Sequence, residues 1–218
     1  MTFLQLAKEV ARLGGAAGND GPPTVVRQRG ESQRVINFVQ IAYEEIANLN
    51  ADWDFLWAHD SYEVDPGLAL YPAPDDLGTW DAERVFLDGE PLPVIEWADY
   101  RPETLPPSRP YQAVRRPDNQ LLLVPTPADA HVLAFDYYRR PNTLRVDGDV
   151  PLIPSRFRRV IVGRALMILG NYENAPDVKD QGTEMFTLYL DQLERHQLGR
   201  RQQAAARFEG APIMVTAQ

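Results

Sequence analysis

Proline is the residue that most restricts this chain, and it is unevenly placed. Fifteen of the nineteen prolines fall between Pro66 and Pro154. Proline fixes φ and removes a backbone donor, so it interrupts helices and confines strands to short runs or edges. The segments before and after that span carry helical spacing. The chain therefore reads as helix–helix, then a Pro-rich β module, then helix–helix. Its 218 residues suffice for a helical domain carrying a second, smaller module. Neither an internal repeat nor a low-complexity tract interrupts this order.

The first helix is predicted over Thr2 to Leu13, with Phe3, Leu6, Val10 and Leu13 on one face and Gly14-Gly15 ending it. A loop follows at Gly18-Asn-Asp-Gly-Pro-Pro23, and Thr24–Arg29 reads as a short extended piece. The second helix runs from about Gly30 to Asn50, with Gln33 placed to reach back to its cap. Val35, Val39, Ala42, Ile46 and Leu49 form its seam, and Ile36, Phe38 and Tyr43 widen the apolar surface towards more than one neighbour. At Trp53, Phe55 and Trp57 the period changes to two, which predicts a strand. Further strands are predicted at Tyr62–Val64, Leu68–Tyr71, Arg84–Leu87, Val94–Trp97, Tyr111–Arg116, Gln120–Val124 and Val132–Tyr138, in a small sheet with exposed edges. Asp88-Gly89 and Pro117-Asp-Asn119 supply hairpin turns. Helix resumes at Ser155, with Phe157, Ile161, Ala165 and Ile168 in register and Leu169 and Tyr172 beside them. It restarts after Asn174-Ala-Pro176, where Met185, Leu188 and Tyr189, joined by Phe186, Leu190 and Leu193, mark the fourth helix's apolar face. After Leu198 the pattern dissolves into a tail.

At 44% hydrophobic and 24% charged residues, the composition is that of a globular protein, not of a disordered chain. Val160–Gly170, the longest greasy stretch, is interrupted by Arg164 and is too short to cross a bilayer. The opening segment reads as an amphipathic helix and not as a secretory signal. The chain has no cysteine, which removes disulfides, thiol catalysis and cysteine–zinc sites and suits assembly in a reducing cytosol. No phosphate loop, nucleophile elbow or His-Glu-x-x-His helix is present, and none of the four serines lies in a nucleophile context. No cofactor is implied.

One constellation offers chemistry: Asp52, Asp54, His59 and Asp60 could gather round a divalent metal. A strand would set Asp52 and Asp54 beside bulky aromatics, so solvated carboxylates are the favoured reading. Glu44-Glu45 likewise reads as a solvated helix face. Trp53, Phe55 and Trp57 could form a stacking platform for nucleic acid. The acids around them favour a core anchor between the helical part and the β module instead. Residues 52–103 contain fourteen acids against two bases, Arg84 and Arg101, while the whole chain carries −9. That balance opposes generic affinity for nucleic acid or an anionic membrane. All but two of the 22 basic residues are arginine, which suits fixed polar interfaces or reflects a GC-rich genome. Arg195, Arg200, Arg201 and Arg207 make a basic tail on an acidic body, the signature of a protein that docks.

The order of motifs resembles the head-to-tail adaptor, or connector, proteins of tailed bacteriophages, in a long form with a β insertion. The resemblance rests on Thr2-Phe-Leu-Gln-Leu-Ala-Lys-Glu-Val-Ala-Arg12, the Gly-rich loop, and Gly30-Glu31 leading into Arg34-Val-Ile-Asn-Phe-Val39. It continues in Asp52-Trp53-Asp54-Phe55-Leu56, in Tyr137-Tyr138-Arg139-Arg140-Pro141, and in Leu144, Pro151-x-Ile-Pro154 and Phe157. These are structural positions spread over residues 1–195, not a catalytic signature. The resemblance implies an α+β subunit: a four-helix adaptor-type domain with an inserted Pro-rich antiparallel β module and an extended C-terminal tail. Residues 1–57 and 146–198 would be the helical domain, 58–145 the insertion, and 199–218 a portal-docking tail. Trp53, Phe55 and Trp57 would be the domain-junction core. Arg200, Arg201, Arg207, Phe208, Ile213 and Met214 would grip the portal. Such adaptors form rings, commonly of twelve copies, below the portal, and DNA passes through without specific binding while a tail or nozzle protein attaches beneath. The expected place is the virion's head–tail interface, reached from the host cytoplasm. A tail terminator or stopper, a small metal-dependent hydrolase and a bacterial ligand-binding domain of no viral origin are the competing readings.

Overall fold

The computed structural model describes residues 1–15 and 21–198. Among the described residues the chain is α+β, with four helices and two sheets, and these divide into two compact units: residues 1–55 with 141–198, and residues 56–140.

The helical unit contains α1 (Phe3–Gly14), α2 (Gly30–Ala47), α3 (Arg159–Glu173) and α4 (Pro176–Gln197). Thr2 and Gln5 cap α1 reciprocally, each side chain meeting the other's backbone, so two otherwise orphaned donors are satisfied. At α2 the expected cap is missing. Arg29 occupies the N-cap position without a side-chain bond, and Gln33 instead donates to Asn37. The predicted seams of α1 and α2 are buried through Phe3, Leu6, Val10, Val35, Val39, Ala42 and Ile46. Leu49 lies beyond the end of α2 and is exposed. The segment from Pro141 to Pro154 has no regular structure but ties these helices together. Asp147 accepts from the Thr24 hydroxyl and the Val25 amide. The Tyr43 hydroxyl donates to Asn142 and accepts from the Leu152 amide. Leu144, Ile153 and Phe157 fill the core beneath this segment.

Glycine sets the packing of α3 on α4. A β-carbon at Gly163 would lie 2.6 Å from the Phe186 nitrogen, and one at Gly170 would lie 2.6 Å from the Lys179 nitrogen. The two backbones therefore nearly touch. The predicted face of α4 is the one turned inward: Leu193 is buried and Met185, Phe186, Tyr189 and Leu190 are half-buried. Gly182 is buried on the same side, whereas Leu188 is exposed and does not belong to that face.

The second unit contains β1 (Trp57–Val64), β2 (Leu70–Tyr71), β3 (Leu77–Leu87), β4 (Glu90–Pro91), β5 (Val94–Glu96), β6 (Gln112–Arg115), β7 (Leu121–Val124) and β8 (His131–Arg139). They form two four-stranded sheets, ordered β1-β8-β3-β4 and β2-β7-β6-β5, instead of the one small sheet expected. Pairing is antiparallel except between β5 and β6. The expected turns are present: Asp88 and Gly89 adopt positive φ between β3 and β4, and Asn119 does so between β6 and β7. Trp80, Leu87, Leu133, Phe135 and Tyr137 from the first sheet share one buried cluster with Tyr71, Ala113, Leu121 and Leu123 from the second.

The segment at Trp53 differs from its predicted form. Residues Asp54–Leu56 make a 3-10 turn, and the strand starts only at Trp57. A 3-10 turn brings positions three apart to one side, so Trp53 and Leu56 are the buried pair. Phe55 is half-buried and stacks on Trp53 with ring centroids 5.4 Å apart. Trp57 is 47% exposed, so it is not a core residue.

Candidate functional site

The four residues that could have held a metal do not form a centre. His59 turns its Nδ1 to Asp136, and Asp60 accepts from the Ser61 amide. Asp52 and Asp54 belong to the helical unit, whereas His59 and Asp60 lie on β1. Burial pushes the Asp54 carboxyl up, against the pull of the His196 charge. Among the described residues no group of three or more His, Cys, Asp or Glu is placed to hold a metal ion. Among the described residues no helix is long and apolar enough to cross a membrane.

The most organised polar cluster lies on one face of the first sheet. Odd-numbered residues of β8 point into the core, so Asp136 points to the opposite face, where β1 pairs His59 directly against it. Asp136 is 3% exposed and sits 2.7 Å from His59 Nδ1, while its other oxygen accepts from Arg84 Nε at 2.9 Å. The Trp57 indole donates as well. Burial alone would raise the Asp136 pKa, but these three donors outweigh it and hold the carboxyl below its ordinary value. Arg84 lies over the Phe86 ring at 5.4 Å, and Trp57 and Val132 are exposed on this face.

Because the folded carboxyl is more acidic than the unfolded one, its stabilisation is present above the unfolded pKa of about 4 and is lost as pH falls through the folded value. Asp136→Asn is expected to cost the β unit about 1.5–3 kcal/mol at neutral pH and to flatten its acid sensitivity. Urea titrations followed by tryptophan fluorescence at pH 7 and at low pH would check this. Equal acid sensitivity in both proteins would contradict it.

A second cluster closes the β3–β4 hairpin. His131 Nδ1 lies 2.7 Å from Asp88, which also accepts the Val132 amide, and Arg109 pairs with Glu90 at 2.8 Å. The backbone bond from Val132 first, and His131 second, hold Asp88 below the usual carboxylate range.

The observed unit boundary gives a milder charge excess than residues 52–103 alone. The β unit, residues 56–140, carries fifteen acids against seven bases, a net −8. Arg109 and Arg115 come from beyond residue 103 to pair with Glu90 and Glu96, and Arg116 pairs with Asp118. Asp60, Glu63, Asp65, Asp75, Asp99 and Glu103 stay exposed. The residues expected to bind a portal, Arg200, Arg201, Arg207, Phe208, Ile213 and Met214, lie outside the described residues.

Comparison with known proteins adds one finding. A family model described as SU10 adaptor protein matches residues 1–211, nearly the whole chain and both of its units. No curated protein matches.

Proposed function

Since the chain belongs to the SU10 adaptor protein family, we propose that it is a bacteriophage structural protein that forms a ring below the portal and offers the tail its platform. The match over residues 1–211 carries this reading, because it spans the helices and the β unit together. A virion location, portal and tail proteins as partners, and the lack of an enzymatic role follow from it. The helical unit is the adaptor domain, the β unit its insertion, and twelve copies make the ring. Part of the acidic surface of residues 52–103 lines the DNA channel. Like charge limits adhesion of the passing duplex, within about 8 Å at physiological salt. The tail, residues 199–218, is the portal anchor: Arg200, Arg201 and Arg207 meet carboxylates while Phe208, Ile213 and Met214 enter apolar pockets. Fully extended, twenty residues reach roughly 65 Å.

The test mixes the purified protein with DNA-filled, tailless heads and images the vertices. A ring at the portal vertex is expected. Bare vertices under saturating protein would overturn the reading. Removing residues 199–218 should leave the helical circular-dichroism signal intact and abolish attachment. Unchanged attachment would move the anchor to the helical body.

A further inference from the structure

The helical unit has two dissimilar flanks. α3 is central: α4 packs on α3 and on the 3-10 turn at Ser155–Phe157, while α1 and α2 pack on α3 and on each other. Arg34 Nη1 reaches the Tyr172 hydroxyl at 3.4 Å, which sets the first turns of α2 beside the end of α3. The chain then turns through Asn174 into α4. The N-terminal turns of α2 and of α4 therefore lie at one end of the unit, on opposite sides of α3.

At that end the α4 flank is acidic. Asp177, Asp180 and Glu184 are exposed and in no ion pair among the described residues. Leu188 follows one turn later, 55% exposed, on the rim of a shallow depression shared with Asp180 and Glu184. The opposite flank is basic. Arg27 and Arg29 are exposed immediately ahead of α2, with Arg27 held at φ 56° and Val26 42% exposed before it. Arg29 occupies the N-cap position, against the positive end of the helix dipole and without any side-chain cap. A cation there is unfavourable, and only Glu31 offsets it within the first turn. An incoming carboxylate would satisfy both the arginines and the open amides of α2.

We propose that these flanks dock on each other in neighbouring copies, with Asp177, Asp180 and Glu184 of one subunit receiving Arg27 and Arg29 of the next. Leu188 then meets Val26, which follows the same order along the flank. The contact is head-to-tail, and repeated about an axis it closes a ring. It rests on the ring reading above and supplies the subunit interface that reading lacks. Charge pairs of this kind set register and encounter rate and exclude wrong pairings.

The native chain has no cysteine, so an Arg29→Cys/Asp180→Cys variant carries only the two introduced thiols. Added to portal-bearing heads with a short bis-maleimide, it should give a covalent ladder of several subunits, while each single variant should stay monomeric on a denaturing gel. Asp180→Arg/Glu184→Arg and Arg27→Glu/Arg29→Glu should each reduce the copies attached per head by about tenfold or more. An equimolar mixture of the two should restore attachment, since each variant supplies the other's complement. Wild-type attachment by both reversed variants, or no ladder from the double-cysteine chain on ring-bearing heads, would overturn the contact and leave the ring standing. If the wild-type protein forms no ring on heads, the adaptor reading fails and the contact fails with it.

Discussion

Replacing Gly182 with leucine is expected to lower the melting temperature of the helical unit by about 10 °C or more, through a loss of at least about 3 kcal/mol. Helix propensity alone predicts the opposite sign, because removing glycine from a helix interior gains up to about 1 kcal/mol. Packing decides. A β-carbon at Gly182 would lie 2.7 Å from the Met167 nitrogen and 2.8 Å from the Gly163 oxygen, and both are backbone atoms that no rotamer change can move aside. The larger side chain must force α3 and α4 apart, and the opposing contacts at Gly163 and Gly170 would open with them. Gly148 is the control. Nothing lies within 4 Å of its β position and its φ is not positive, so Gly148→Ala should leave the melting curve nearly unchanged. Thermal scans at 222 nm check both. A Gly182→Leu protein melting with the wild type would mean that α4 does not sit against α3 as described.

Trp53→Ala should cost about 3–5 kcal/mol. The indole is fully buried, stacks on Phe55, and donates through Nε1 to the Ile46 carbonyl at 3.2 Å, one of the last carbonyls of α2. Trp53→Phe separates the two contributions, since it keeps most of the ring and removes the donor, for a loss of about 1 kcal/mol plus a small packing deficit. Denaturant titration of the three proteins by far-ultraviolet dichroism gives the order directly. If alanine and phenylalanine cost the same, the hydrogen bond and not the buried ring holds the segment.

The ends of the chain were readable because their periodicity is local. Phe3, Leu6 and Val10, or Val35, Val39 and Ile46, announce a buried face wherever the partner lies. The Trp53 segment misled because 53, 55 and 57 alternate like a strand, although Leu56, three residues from Trp53, carried the signal of the 3-10 turn. In α4 the bulky residues marked the inward face except at Leu188, which is exposed, but they did not show how close the helix comes to α3. Gly163 and Gly170, seven apart on α3, were the cue for a backbone seam that needs no large side chain. The division of eight strands between two sheets was not legible, since pairings such as β2 with β7 join residues about fifty apart. Nor was the Asp136 cluster, which draws His59 and Arg84 from distant strands. Its trace in the sequence is a lone carboxylate in the otherwise apolar run Val132–Tyr138.

The pairing of β1 with β8 bears on how the chain reaches its fold. Both strands are next to the helical unit along the chain, and their register sets Trp57 opposite Tyr138. Before that pairing forms, bringing residues 55 and 141 together means closing a loop of about 85 residues. Once it has formed, the same two points are joined by a few residues on either side of a zipped ladder. Each halving of loop length recovers roughly 0.6 kcal/mol, so four halvings make the assembly of α1 and α2 with α3 and α4 cheaper by about 2 kcal/mol. The β unit thereby acts as a clip for the helices on either side of it in sequence. A shorter insertion would serve the helical core equally well, provided that its first and last strands still lie side by side.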